Sequence, residues 1–215
     1  MTSTSQPLLV QLMEEFVRDQ DVDTFCDQIE TKFSVSTLCR LLESSTDTRM
    51  RRASVLALGM VGTIRCNESV AQSLYDDDEV VRQWAETALW TLWFRDCDES
   101  HTAELQIISA LIPHDPKRAV AKATALIGQA RNFAEAFNQR AIAYWRLGMY
   151  DASINDCQTV LELNPKHFGA ASGLGQCYLD KKEYAQAVEW FERALDINPN
   201  LDDISKMIQE LRNEM

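Results

Sequence analysis

The chain is poor in the residues that turn, crosslink or catalyse. Seven glycines and five prolines in 215 residues leave little material for tight turns and suit a mostly helical chain with short connections. No apolar run approaches the length of a membrane span, so no spanning helix is expected. Residues 1–6 are too polar and too uncharged for a signal peptide. A soluble cytoplasmic protein is the expectation. Basic residues are scarce, 21 against 33 acidic, for a net charge of −12. The densest basic group is only Arg49, Arg51 and Arg52, which argues against a nucleic-acid surface and mildly favours basic partners. The six cysteines, at 26, 39, 66, 97, 157 and 177, contain no C-x-x-C pair. They read as small buried residues of a reducing compartment, not as a disulfide framework or zinc site.

Catalytic vocabulary is equally thin. Three histidines stand at irregular positions, and no G-x-S-x-G, H-E-x-x-H, phosphate-binding glycine loop or dinucleotide fingerprint occurs. Cys97 and His101 could be drawn as a metal or nucleophile pair, but a packed thiol beside an early helix residue is the preferred reading. The run Asp76-Asp77-Asp78-Glu79 could be offered to a cation, yet helix capping accounts for it. No catalytic residue, cofactor or metal is therefore expected, and no enzyme.

What the sequence does contain is repetition, and 46% hydrophobic residues to pack it. Over residues 134–199 one helix pair is written twice. Tyr144 returns as Tyr178, Tyr150 as Tyr184, Ile154 as Val188, Leu161 as Leu195 and Asn164-Pro165 as Asn198-Pro199, each displaced by 34 positions. Where paired helices cross, small residues let them approach: Ala141 and Gly175, Ser153 and Ala187, with Ala194 in the second copy. Tyrosine and leucine fill the gaps between pairs, and the proline ends each unit because it cannot continue a helix before it. A single pair cannot cover its own apolar face, so neighbours must stack. The second copy, with Ala171, Leu174-Gly175, Tyr178, Ala187, Phe191 and Pro199, and the looser first, with Phe137, Arg140-Ala141, Tyr144, Ser153, Cys157 and Pro165, resemble the tetratricopeptide repeat family.

A different repeat occupies residues 35–94. The segment Asp47-Thr48-Arg49-Met50-Arg51-Arg52-Ala53 through Ala57-Leu58-Gly59 is answered 31 residues later, with Asp47 matched to Asp78, Arg51 to Arg82, Ala57 to Ala88 and Leu58 to Leu89. Each aspartate is placed to cap a helix. This pattern is similar to short HEAT-like repeats, the kind also found in phycobilin lyases. The helix over 79–94 carries Val81, Ala85, Ala88 and Leu92 on one stripe and Trp84, Trp90, Trp93 and Phe94 off it, so a second covered face is expected and with it one continuous solenoid.

The expected architecture is all-α, a right-handed solenoid of about five helix pairs. Capping helices take 1–34, HEAT-like repeats 35–99, tetratricopeptide-like repeats 100–201 and a capping helix 202–215. The first tetratricopeptide-like unit, 100–133, is placed by register alone, with Ala119, Val120, Ala123, Leu126 and Ile127 at core positions. In the last helix Leu201, Ile204, Ile208 and Leu211 face inward, against Asp202, Asp203, Lys206 and Glu210 opposite.

The resemblance implies a site. In that family the first helix of each pair lines the concave surface, and its outward positions touch a protein or peptide. Those positions are Asn138, Ile142, Trp145, Arg146 and Met149, then Ser172, Gln176, Leu179 and Asp180. Trp145, Met149 and Leu179 would form an apolar strip beside Arg146, suited to an apolar side chain and a carboxylate. Trp145 could equally pack on the neighbouring repeat. Family members that clamp the carboxylate tail of chaperones place Lys, Arg and Asn at inner positions that here hold Asn138, Ile142, Gly169 and Gly173, so that clamp is largely absent. The expected function is a non-catalytic scaffold or adaptor for a protein or peptide, basic or apolar. A chaperone or lyase-type subunit positioning a cofactor-bearing protein, and a self-association module, are the alternatives. A spectral shift on mixing with a bilin would mark the lyase reading, and mass across dilution the self-association one.

Overall fold

The computed structural model describes residues 6–214 and is all-α over them, with no strand among the described residues. Of the polar segment 1–6, residues 1–5 lie outside the described residues. The chain divides into two compact units, one up to Leu92 and the other from Trp93 onward.

The first unit holds α1 (Leu8–Asp19), α2 (Val22–Lys32), α3 (Val35–Ser44), α4 (Thr48–Val61), α5 (Asn67–Gln72) and most of α6 (Glu79–Phe94). Helices α2, α3, α4 and α6 start where short polar side chains accept from first-turn amides. Asp21 accepts from the Thr24 N–H at 3.0 Å, Asp47 from Arg49 at 2.9 Å and Asp78 from Val81 at 3.1 Å. The two repeat aspartates thus cap as expected. Their arginines repeat as well: Arg51 Nη1 donates to the Ser45 carbonyl and Arg82 Nη1 to the Asp76 carbonyl, six residues back in both cases. Ahead of α6, α5 is short. It stops at Gln72 and tightens into a 3-10 turn over Ser73–Tyr75, where the Ser73 hydroxyl bonds back to the Ser69 carbonyl. Val81, Ala85, Ala88 and Leu92, the stripe expected on α6, are all buried. Gly59 of α4 lies so close to α6 that a Cβ there would sit 3.0 Å from that of Ala88.

The second unit holds α7 (Glu99–Leu111), α8 (Pro116–Gln129), α9 (Ala134–Arg146), α10 (Tyr150–Leu163), α11 (Phe168–Asp180), α12 (Tyr184–Ile197) and α13 (Asp202–Glu214). Each of these helices packs on its chain neighbours, and the leading helices α7, α9 and α11 touch in a row. That nearest-neighbour pattern is the packing of a stacked repeat. The core of α9 to α12 is built from Ala141, Ile154, Cys157, Val160, Ala171, Leu174, Cys177 and Ala194, so the small residues expected at crossings are there. Gly175 shows the need for them most sharply, since a Cβ there would stand 2.4–2.9 Å from the Phe191 ring. In the unit placed by register, Ala119, Ala123 and Leu126 are buried among Leu105, Ile108 and Phe133, with Val120 and Ile127 at its edge. On α13, Ile208 and Leu211 are buried against Val188 and Phe191, and Ile204 flanks them.

The 34-residue period is written into hydrogen bonds as well as letters. After α9 the Met149 N–H donates to the Tyr144 carbonyl at 3.0 Å; after α11 the Glu183 N–H donates to Tyr178 at 2.9 Å. The left-handed residue in each turn is Gly148 at φ 72° and Lys182 at φ 62°. Asn164 Oδ1 accepts from the Lys166 N–H at 3.2 Å and Asn198 Oδ1 from Asn200 at 3.1 Å. Tyr144 and Tyr178 therefore occupy equivalent places.

Candidate functional site

The residues expected on the outward face of α9 and α11 separate into three groups. Ile142, Arg146 and Met149 are exposed, Ile142 by 37% and Met149 by 49%. Trp145, Ser172, Gln176 and Leu179 are half-buried, and Asp180 is exposed. Asn138 departs from the expectation. It is buried, its amide donating at 2.9 Å to Glu135 Oε1, which removes it from the outward face.

Trp145 both packs and bridges. Its ring lies against the α9 to α12 core, and its Nε1–H donates to Asp180 Oδ2 at 2.5 Å, tying one leading helix to the next. Gln176 donates to the same Asp180 oxygen at 3.3 Å. Ser172 turns its hydroxyl back onto the Phe168 carbonyl, and Leu179 packs toward α12 and α13. What stays outward around the Trp145–Asp180 tie is an apolar pair, Ile142 and Met149, with the Arg146 guanidinium between them in sequence. Arg146 has no carboxylate partner among the described residues. The neighbouring cations differ: Lys181 bonds to Asp151 at 2.8 Å and Glu183 at 3.1 Å, which raises its pKa, and Arg140 pairs with Asp156 through two bonds of 2.7 and 2.8 Å.

Beneath this face lies a polar cluster that sequence reasoning missed. Glu135 and His167 are both fully buried. Glu135 Oε1 accepts from Asn138 and from Gln139, the latter at 2.7 Å, while His167 Nε2 lies 2.9 Å from Oε2. His167 Nδ1 accepts from the Ala170 N–H at 3.0 Å and caps α11. A nitrogen that accepts cannot carry the proton, so the ring proton is assigned to Nε2 and is donated to Glu135. Trp93 stacks on the imidazole with centroids 4.0 Å apart. A carboxylate with three donors and no path to solvent is a fastening between α9 and α11, not an acid or base for chemistry. The only hint of it in the sequence is a polar residue just ahead of an expected helix, where caps belong.

The acidic run 76–79 is also occupied. Asp76 receives Arg51 at 2.7 and 2.9 Å, and Asp78 receives Arg52 at 2.8 and 2.6 Å. The Arg52 hydrogen bonds hold the Asp78 carboxyl down at about 2. At Asp76 burial pushes the other way, and the Arg51 pair still keeps it below its ordinary value.

Stacked helix hairpins with an exposed face along their leading helices define an α-helical repeat protein. The comparisons name the repeats: residues 138–202 match the tetratricopeptide repeat family model and residues 7–90 the HEAT repeats model, so the chain carries HEAT repeats followed by tetratricopeptide repeats. The HEAT match takes in α1 and α2 as well as the later pairs. A TPR repeat-containing protein of Rhizobium etli is 35% identical over 68 residues, 32% of this chain and 33% of its own length. Hsp70-Hsp90 organizing protein 2 of Arabidopsis thaliana is 29% identical over 80 residues, 35% of this chain and 14% of its own length. The chain thus spans a third or less of these relatives. The solved structure of YrrB, described as a TPR protein with an unusual peptide-binding site, aligns over 94% of this chain and 98% of its own with 18% identity and a TM-score of 0.48. No described helix is long and apolar enough to cross a membrane.

Proposed function

We propose that the protein is a non-catalytic adaptor that holds a peptide segment of a protein partner along the leading helices α9 and α11. The observation that carries this reading is the exposure of Ile142, Arg146 and Met149 around the half-buried Trp145, on a frame fixed by the Trp145–Asp180 bond and the Glu135–His167 fastening. Two exposed apolar side chains with an unpaired guanidinium between them suit a segment offering an aliphatic or aromatic anchor and a carboxylate. The chemistry differs from a chaperone-tail clamp, because the inner positions hold Asn138, Ile142, Gly169 and Gly173 and Asn138 is buried. The kinship with an organizing protein supports partner binding as a class and nothing finer.

A peptide library displaying C-terminal and internal segments, read with the full chain, tests the surface. The double variant Arg146→Glu, Met149→Asp should lose the selected peptides by roughly tenfold or more at an unchanged melting temperature. Equal binding by the variant would assign the contacts to another face.

A further inference from the structure

Cys97, Asp98 and His101 bring three chemically different donors to one point at the start of α7. The His101 Nδ1 lies 3.2 Å from the Cys97 Sγ and 2.8 Å from the Asp98 Oδ2, and all three donor atoms fall within 4.8 Å of one another. We propose that this cluster is a site for a borderline divalent transition ion such as Zn²⁺, bound by thiolate, carboxylate and imidazole with solvent completing the coordination.

The geometry separates this reading from a nucleophilic triad. A thiol activated by histidine needs the thiol on one ring nitrogen and the carboxylate on the other. Here sulfur and carboxylate both address Nδ1, so the ring cannot relay a proton between them. Convergence on a single point is instead what an ion requires. A tetrahedral ion, with roughly 2.3 Å to sulfur and about 2.0 Å to nitrogen or oxygen, needs nitrogen and oxygen about 3.3 Å apart and sulfur about 3.5 Å from each, so the two ring contacts open by about 0.3–0.5 Å while sulfur and carboxylate, within 4.8 Å, settle to that separation. A mixed sulfur, nitrogen and oxygen set selects zinc-like ions over magnesium or calcium, which prefer all-oxygen ligands.

The surroundings orient the ligands. The other Asp98 oxygen, Oδ1, is held by the Ser100 hydroxyl at 2.7 Å and by the His101 N–H at 3.0 Å, which leaves Oδ2 turned to the ring. Cys97 packs against the apolar cluster of Leu105, Ile108 and Phe133, fixing the sulfur from below. His101 is 20% exposed and Asp98 61%, so one side remains open to water and to an arriving ion. The positive end of α7 opposes a cation, and the charge of two anionic ligands offsets it. On coordination the thiol proton leaves to solvent, and the imidazole moves its proton to Nε2 without net loss.

The test uses the reduced full chain. Cobalt(II), added as a spectroscopic substitute for zinc, should bind at one equivalent and show thiolate-to-cobalt charge-transfer absorption. Cys97→Ser should abolish that band, and Cys97→Ser and His101→Ala should each weaken Zn²⁺, measured against a chromophoric chelator, by about 100-fold or more. Asp98→Asn, which can still cap α7, should weaken it by less. A cobalt spectrum without a thiolate band in the wild-type chain would overturn the proposal, as would a band that survives Cys97→Ser and so belongs to another cysteine.

Discussion

The two units solve the same problem, joining one repeat to the next, with opposite chemistry. In the first the tie lies near the surface: Arg51 and Arg52 on α4 reach Asp76 and Asp78 just ahead of α6, with side chains 10–35% exposed. The second adds to its surface contacts an internal tie: a fully buried Glu135–His167 pair joins α9 to α11 beside crossings made of alanine and glycine. An ion pair near water contributes little but leaves little unpaired when one partner is lost. A buried pair has no solvent to fall back on. The second unit should therefore be the one that fails hard when a polar partner is removed.

The largest effect expected follows from that difference. His167→Ala deletes the third donor to Glu135 and the cap of α11 together, leaving a buried carboxylate short of a partner. The loss should be about 3–5 kcal/mol in urea unfolding, whereas Arg52→Ala should cost roughly 1 kcal/mol or less. Adding Glu135→Leu to His167→Ala should restore part of the loss, because it removes the stranded charge. Equal costs for His167→Ala and Arg52→Ala would erase the contrast between the units.

What the sequence disclosed divides along the same line. The stacking period, the capping aspartates, Gly175 and the polar face of α13 were legible because each is a local rule repeated at a fixed offset. Glu135 and His167 were not, since they lie 32 residues apart and nothing in either neighbourhood marks a partner across helices. In the sequence Arg51 and Arg52 form part of a small basic group, and the acidic run holding Asp76 and Asp78 fits helix capping. That they neutralise one another depends on how α4 meets the start of α6. At the candidate site the register found Ile142, Arg146 and Met149 on an open face but placed buried Asn138 there too, because position in a repeat does not report which amide a neighbouring carboxylate will claim. Trp145 serves both of its possible uses, packing inward and bonding across to Asp180.

A smaller effect probes the first unit by pH. The folded-state value of Asp78, held at about 2 by Arg52, lies below the ordinary carboxylate value of about 4. A depressed carboxylate contributes stability that is fully present above the unfolded value and is lost as pH falls through the folded one. The contribution, about 1 kcal/mol once solvent screening of the partly exposed pair is allowed for, should disappear between roughly pH 4 and pH 2. Asp78→Asn keeps a capping side chain while removing the charge, so its melting temperature should fall less steeply across that window than that of the wild type. Parallel slopes would mean that the pair does not titrate with unfolding.

The smallest effect sharpens a comparison inside the second unit. Its two clear repeats make the same turn, yet one places Gly148 and the other Lys182 in the left-handed region, at φ 72° and 62°. A side chain there meets the carbonyl that glycine avoids, a strain of about 1 kcal/mol or more, while glycine costs about 0.5–1 kcal/mol in unfolded-chain freedom. Lys182→Gly should therefore stabilise the chain slightly, by about 0.5 kcal/mol, and Gly148→Lys should destabilise it by a similar amount. Lys182 is exposed at this turn, so relief of backbone strain is what the substitution measures. If both substitutions shift the unfolding midpoint in the same direction, the two turns do not share one backbone geometry in solution, and the 34-residue equivalence ends at the helices.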